Sequence, residues 1–260
     1  MFRGVISSLL LVVLLLFVVP QSRVFAEEKI EVLFYDNYFP YSYVEDGMPA
    51  GLFVEITKKI FDSTPLKVTY RIYPFKRAMA LGKEGTGLVS GLYKTPERRR
   101  YFDYSRPYYT ENIVLISDKR LPETLIQTEF SSIKGLRIGL LRGMSYGPAI
   151  DNALENGTIT EDRVDSDLLN YKKLKLGRID GFVIDRTSGK KLINENMDES
   201  LIIHSEVLTR AGNHIVVAKT LKNSQQIISQ IDAALMRIKQ DGSYQKILDN
   251  FVGNGGGDAN

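Results

Sequence analysis

The chain has 260 residues, of which 34 are basic and 31 acidic, with two histidines and no cysteine. Lack of cysteine excludes disulfides, thiol nucleophiles and thiolate metal sites, and the near balance of charge gives no electrostatic case for a nucleic-acid partner. His204 and His214 stand in no catalytic or metal-ligand spacing, and no paired carboxylates stand out, so neither a cofactor nor a metal is expected.

Arg3 precedes an apolar run, Val5 to Pro20, and Val24-Phe25-Ala26 places small residues at both positions that matter before a cut. This predicts an export signal over residues 1–26 with cleavage near Ala26. Its removal takes away Arg3 and Arg23 and no acid, lowering the formal charge of +3 by two. No other segment approaches the ~20 apolar residues needed to cross a bilayer.

Lys29 to Tyr35 reads as a strand, and Tyr41 to Tyr43 resumes an extended form after a turn. Leu52, Ile56, Ile60 and Phe61 have the spacing of one buried helical face over Gly51 to Phe61. Leu66 to Ile72 alternates as a strand, Pro74 to Leu81 reads as a short helix with proline at its start, and Leu88 to Ser90 as a short strand. Gly91 to Tyr109 then sets a turn, a predicted helix start and three consecutive arginines beside an aromatic, strand-prone segment. A helix N-terminus and a guanidinium together can receive a carboxylate. Strand–helix alternation argues for an α/β layer.

The chain runs extended to Ser117, followed by a polar stretch, Asp118 to Lys134. A second α/β series begins with a strand at Leu136 to Leu141, a glycine-flanked turn at Arg142 to Gly147 and a helix from Pro148. Thr158 to Val164 and Gly181 to Ile184 read as strands; Ser166 to Leu176 and the segment from Thr187 as helices. His214 to Ala218 is again strand-like. Leu221 to Ile238 is the strongest helix, with a stripe of Ile227, Ile228, Ile231, Leu235 and Ile238, and Asn223-Ser224 as a cap. The glycine-rich tail, Gly253 to Asn260, is expected to be disordered. Two α/β units joined by extended crossings near 110–117 and 208–216 suggest a hinge, and ligands settle between such units beyond the strand ends.

YFPYSY with GLFVEI, then SGLYKTPERRRYFDYSRPYY, LRIGLLRGMSYG, GRIDGFVIDR and the closing YQKILDNFVG cover nearly the whole chain after residue 26. In this order they resemble the family 3 extracellular solute-binding proteins. The resemblance implies a two-lobed periplasmic binding fold of type II, each lobe a mixed sheet flanked by helices. One lobe would take residues 27–112 and 211–252, the other 113–210, with a tail at 253–260. It implies a soluble, monomeric periplasmic protein that captures a small zwitterionic solute, most simply an amino acid, and presents it to the permease of an ABC importer.

By the same resemblance, Arg98 clamps the carboxylate and Asp185 takes the ammonium, with the Gly91 carbonyl assisting. Bottom-up, Asp185 could equally pair with Arg186 or cap the following helix. Tyr38 and either Tyr73 or Phe75 would form an aromatic wall, and Arg142, Gly143 and Ser145 would be added when the lobes close. Arg99 and Arg100 read as a solvated charge run, and Asp180 as structural. Three positions depart from the family pattern: Tyr93 replaces a serine or threonine, Met144 a threonine, and Thr86 an aspartate. The first two enlarge side chains beside the expected site. Alternatives are a sensory protein signalling to a chemoreceptor or sensor kinase, and a dehydratase-like enzyme on the same fold.

Overall fold

The computed structural model describes residues 29–121, 133–204 and 207–253; the expected export signal, most of the polar stretch before Lys134 and residues 254–260 lie outside them. Strand β1 (Ile30–Tyr35) is flanked by β4 (Val68–Tyr73) and β5 (Gly87–Leu92), both parallel to it. The crossovers carry α1 (Leu52–Asp62) and α2 (Phe75–Glu84), which cover the sheet. The apolar face read in the sequence is the one buried on α1, where Leu52, Ile56, Ile60 and Phe61 are all excluded from solvent.

The second unit is built around β8 (Arg137–Leu141), parallel to both β9 (Thr160–Val164) and β10 (Gly181–Asp185). Its helices are α3 (Pro148–Glu155), α4 (Asp167–Lys175) and α5 (Arg186–Glu195). Two long strands join the units: β7 (Tyr109–Asp118) and β12 (Thr209–Ala218). They pair antiparallel from Tyr109↔Asn213 to Ile113↔Thr209. Beyond that stretch β7 continues onto β10, and β12 continues onto β5. The strand order β4-β1-β5-β12-β7-β10-β8-β9 therefore runs unbroken through both lobes.

Helix α6 (Ser224–Gln240) buries the predicted isoleucine–leucine stripe against the first lobe, and α7 (Ser243–Gly253) packs beside it on α1. The Asn223-Ser224 cap is corrected. The Asn223 side chain makes no capping bond, and the Ser224 hydroxyl instead donates to Asp103 at 2.8 Å.

Other boundaries also differ from the sequence reading. The expected helix start after Thr95-Pro96 is only a 3-10 turn, Arg98–Arg100, because the chain leaves at once into the edge strand β6 (Phe102–Tyr104). Tyr43, the end of the short extended piece read at Tyr41 to Tyr43, opens a hairpin, β2 (Tyr43–Glu45) and β3 (Met48–Ala50). Its Asp46-Gly47 turn has both residues at positive φ, the conformation that twists with the strands it joins. Strand β11 (Leu201–Ile203) and helix α7 were likewise not anticipated, and Gly253 ends that helix instead of opening the tail.

Gly51 holds this region together. At φ 110 it opens α1, and an added Cβ would lie 2.5 Å from the Tyr41 carbonyl oxygen and 2.8 Å from that of Pro40. The loop of residues 36–42, which leaves β1 toward the other lobe, is thus seated on the start of a core helix.

Candidate functional site

The ends of β1, β5, β8 and β10 and the middle of the two crossing strands converge between the lobes. Asn37 is at φ 63, and the turn around it brings Tyr38 and Tyr41 back across the end of the sheet. Gly91, at φ 91, bends the end of β5 and sends Tyr93 the same way. An added Cβ there would touch Phe53 and Tyr35 at 3.1 Å.

Arg98 is 6% exposed, while Arg99 and Arg100 are exposed as expected. Its backbone N–H donates to Thr95 Oγ1 at 3.2 Å. The guanidinium donates to the Tyr93 carbonyl at 3.3 Å and, across the cleft, to the Gly143 carbonyl at 3.4 Å. Its carbon lies 5.6 Å from the centroid of the Phe75 ring. Both hydrogen bonds are long, and among the described residues no carboxylate lies within ion-pair distance of Arg98. A buried guanidinium held by two weak neutral acceptors is under-satisfied, since burial of a charge is costly unless it is paired.

The opposite charge lies nearby. Glu111, on β7, is wholly buried and accepts hydrogen bonds from Tyr38 at 2.5 Å, from Asn213 Nδ2 at 2.7 Å and from the Tyr93 hydroxyl. Asp185, at the end of β10, is 4% exposed. It caps α5 by accepting from the N–H groups of Thr187 at 2.8 Å and Ser188 at 3.2 Å, and it also accepts from Asn112 N–H at 3.1 Å and Tyr41 hydroxyl at 2.5 Å. Of the sequence alternatives for Asp185, the cap is realised. Neither acid has a lysine or arginine partner among the described residues. Burial, and then the charge of Asp185, pushes the Glu111 carboxyl up to about 8; burial raises Asp185 as well.

Burial also raises Tyr38, Tyr41 and Tyr93, keeping them protonated as donors. The cleft therefore holds a buried cation without an acid and two buried acids without a base.

The remaining expected residues divide. Phe75 lines a crevice of about 310 Å³ together with Tyr38, Arg142 and Met144, whereas the Tyr73 ring lies under the Arg77 guanidinium at 4.8 Å. Of the two aromatic candidates, Phe75 is the one in the cleft. The Gly91 carbonyl is occupied by the Tyr35 hydroxyl at 2.7 Å. Arg142 is exposed and paired with Asp165 at 3.0 Å. Ser145 donates to Asp151 at 2.9 Å and lines a second crevice of about 320 Å³ with Tyr93 and Thr95. Both histidines are structural: His214 Nδ1 bonds to the Ser105 carbonyl at 2.6 Å, and His204 Nε2 to Ser117 Oγ at 2.7 Å.

Tyr35, Tyr41, Glu111 and Asn213 belong to the same cluster and were not singled out in the sequence. The available signal was periodicity. Tyr109, Glu111 and Ile113 alternate onto one face of β7, and a glutamate in an inward-facing register is an anomaly that asks for a partner.

Residues 30–254 match the model for bacterial extracellular solute-binding proteins, family 3. The chain belongs to that family. The family-3 chain is 27% identical over 233 residues to the ABC transporter arginine-binding protein 1 of Escherichia coli strain K12, covering 87% of this chain and 91% of the relative. Among solved structures it is similar to an ancestral arginine-binding protein bound to arginine, with a TM-score of 0.72 and 21% identity over 85% of this chain and 97% of the other. It is equally similar in fold to a histidine kinase sensor domain with similarity to periplasmic binding proteins, at a TM-score of 0.74 and 19% identity, over 87% and 97%. These two likenesses establish a shared two-lobed fold.

Proposed function

We propose that this family-3 protein captures an amino acid between its lobes and presents it to the permease of an ABC importer. The observation that carries the reading is the charge arrangement of the cleft: Arg98 buried without an acid, and Glu111 and Asp185 buried without a base. A zwitterion supplies what both ends lack. Its carboxylate takes the Arg98 fork in place of the two long carbonyl bonds, and its ammonium meets the carboxylates and the tyrosine hydroxyls around them.

Tyr38 and Phe75 form the wall beside it, and Gly143 and Ser145 join from the second lobe. Closure turns on β7 and β12, near residues 112–113 and 210–211. Each charged end of the solute is desolvated on closure, so an analogue missing one end leaves a buried group unpaired and binds less tightly. No chemical step is part of this reading: the groups near the cleft hold and neutralise charge. Export to the periplasm by cleavage near Ala26, and action as a monomer, complete the proposal. The arginine named for the relative in Escherichia coli makes the basic amino acids the first candidates.

The test is a thermal-shift screen of refolded, ligand-free protein against the amino acids and their deaminated acids. A ligand that binds only the folded state raises its melting temperature. Stabilisation by an amino acid and not by its deaminated acid is expected; equal stabilisation by the simple acid would overturn the zwitterion reading.

A further inference from the structure

A third crevice, of about 480 Å³, lies between the loop and hairpin carrying Phe39, Tyr43 and Val44 on one lobe and the starts of α4 and α5 on the other. Two polar atoms in its lining are shielded from solvent and have no hydrogen-bond partner among the described residues: Asp167 Oδ1 and Ser188 Oγ. Ser188 is 5% exposed, so its hydroxyl is a buried group with an unmet bond. Such groups cost free energy unless something arrives to satisfy them.

The charge of the lining has a definite sign. Lys191, the one cation among its residues, lies 3.9 Å from Glu195 and 4.2 Å from the Phe39 ring centroid. That leaves Asp36 and Asp167 as the uncompensated charges. Burial, and then the charge of Asp185, pushes the Asp167 carboxyl up to about 7, as befits an acid held out of water without a counter-ion. Beside these groups are apolar surfaces: the Phe39 and Tyr43 rings, in an edge-on pair at 4.9 Å, with Val44 and Leu192.

We propose that this crevice is a second binding site, for a small primary amine with an apolar body. The ammonium donates to Asp167 Oδ1 and Ser188 Oγ, and the body lies on Phe39, Tyr43 and Leu192. An anion is rejected by the same carboxylates. Because both lobes line the crevice, an occupant bonds to the closed arrangement and strengthens solute capture in the central cleft; by linkage the solute strengthens amine binding equally.

The experiment titrates phenethylamine, with 3-phenylpropionate as the anionic counterpart, calorimetrically into ligand-free wild type, Asp167→Asn and Phe39→Ala. Phenethylamine binds wild type, loses at least tenfold in affinity in Asp167→Asn and severalfold in Phe39→Ala, and phenylpropionate is silent. Phe39 is 41% exposed, so its removal leaves folding intact and keeps the test decisive should Asp167→Asn unfold. No amine binding to wild type, or unchanged binding in Phe39→Ala, would each overturn the proposal, the second by placing the amine outside this crevice. Failure of the amino-acid reading is separate, since it is read from solutes that carry a carboxylate.

Discussion

The Tyr41 hydroxyl reaches across the cleft to Asp185 at 2.5 Å, joining a loop of the first lobe to the carboxylate that caps a helix of the second. The bond couples lobe position to the strength of a cap. When the lobes part, Asp185 loses its tyrosine and keeps only its backbone donors. Tyr41→Phe is therefore expected to shift the ligand-free protein toward the open arrangement, seen as an increased radius of gyration in small-angle scattering, with loss of the net ~1 kcal/mol typical of a hydrogen bond. An unchanged scattering profile would show that the bond does not hold the lobes.

Arg98→Ala is expected to abolish capture of any carboxylate-bearing solute, by a factor of a hundred or more, because hydrogen bonds to charged groups contribute roughly 1.5–3 kcal/mol each. Arg100→Ala, at an exposed position, changes affinity by less than a factor of two. Calorimetric titration of both variants separates the two arginines, and equal losses would remove the special role of Arg98.

Asp185→Asn keeps a capping oxygen but discards the charge. Selectivity for an amino acid over the matching simple acid is expected to fall about tenfold in a competition assay, while the melting temperature moves little because asparagine caps nearly as well. If discrimination is unaltered, the ammonium is held elsewhere, with Glu111 the remaining carboxylate.

Glu111 sets a pH dependence. An ordinary glutamate titrates near 4.3, whereas burial and the Asp185 charge hold Glu111 up to about 8 in the fold. Across that window the native state binds a proton that the unfolded chain has released. The stability associated with neutral Glu111 is complete below the unfolded value and is lost as pH rises through about 8. Glu111→Gln is neutral throughout, so its unfolding free energy is expected to fall less steeply between pH 5 and 8, by one proton's share of the slope. Denaturant titrations at several pH values measure this directly, and an identical slope in the two proteins would mean that Glu111 is ionised in the native state.

Gly51→Ala is predicted to cost more than 3 kcal/mol. The substitution forces a side chain into left-handed backbone and a Cβ against two carbonyl oxygens that cannot retreat without moving the loop. Chemical denaturation reads the loss. An alanine variant within 1 kcal/mol of wild type would show that the loop relaxes freely.

Sequence pattern revealed most where one physical requirement acts alone. The stripe on α6 and the apolar run of β1 need only a single core to bury against, and both are buried where the sequence reading put a helix and a strand. Arg98 was legible through its neighbours, since the TPER segment tightens into a turn that buries its arginine. Glu111 was not. Its significance comes from Tyr38, Tyr93 and Asn213, which are 73, 18 and 102 residues away in the chain and meet it only once β7 and β12 have paired. The aromatic ambiguity around Pro74 was of the same kind: Tyr73 and Phe75 flank the end of a strand, and only the three-dimensional position of Arg77 draws the first one off. Helix α7 was overlooked because its short amphipathic stretch gains much of its burial from α1, an element distant in sequence.

The place of β12 in the sheet governs the order in which the molecule can be assembled from a growing chain. The last strand to be synthesised lies between β5 and β7, and α6 and α7, which follow it, close over α1. Until those residues emerge, β5 has one edge without a partner, and the helix after the third strand has half its apolar face exposed. The second lobe's strands β8 to β11 come from one continuous stretch of chain and are all in hand before β12 begins. The lobe that begins first is therefore completed last, since it waits for its central strand until every strand of the later lobe has emerged.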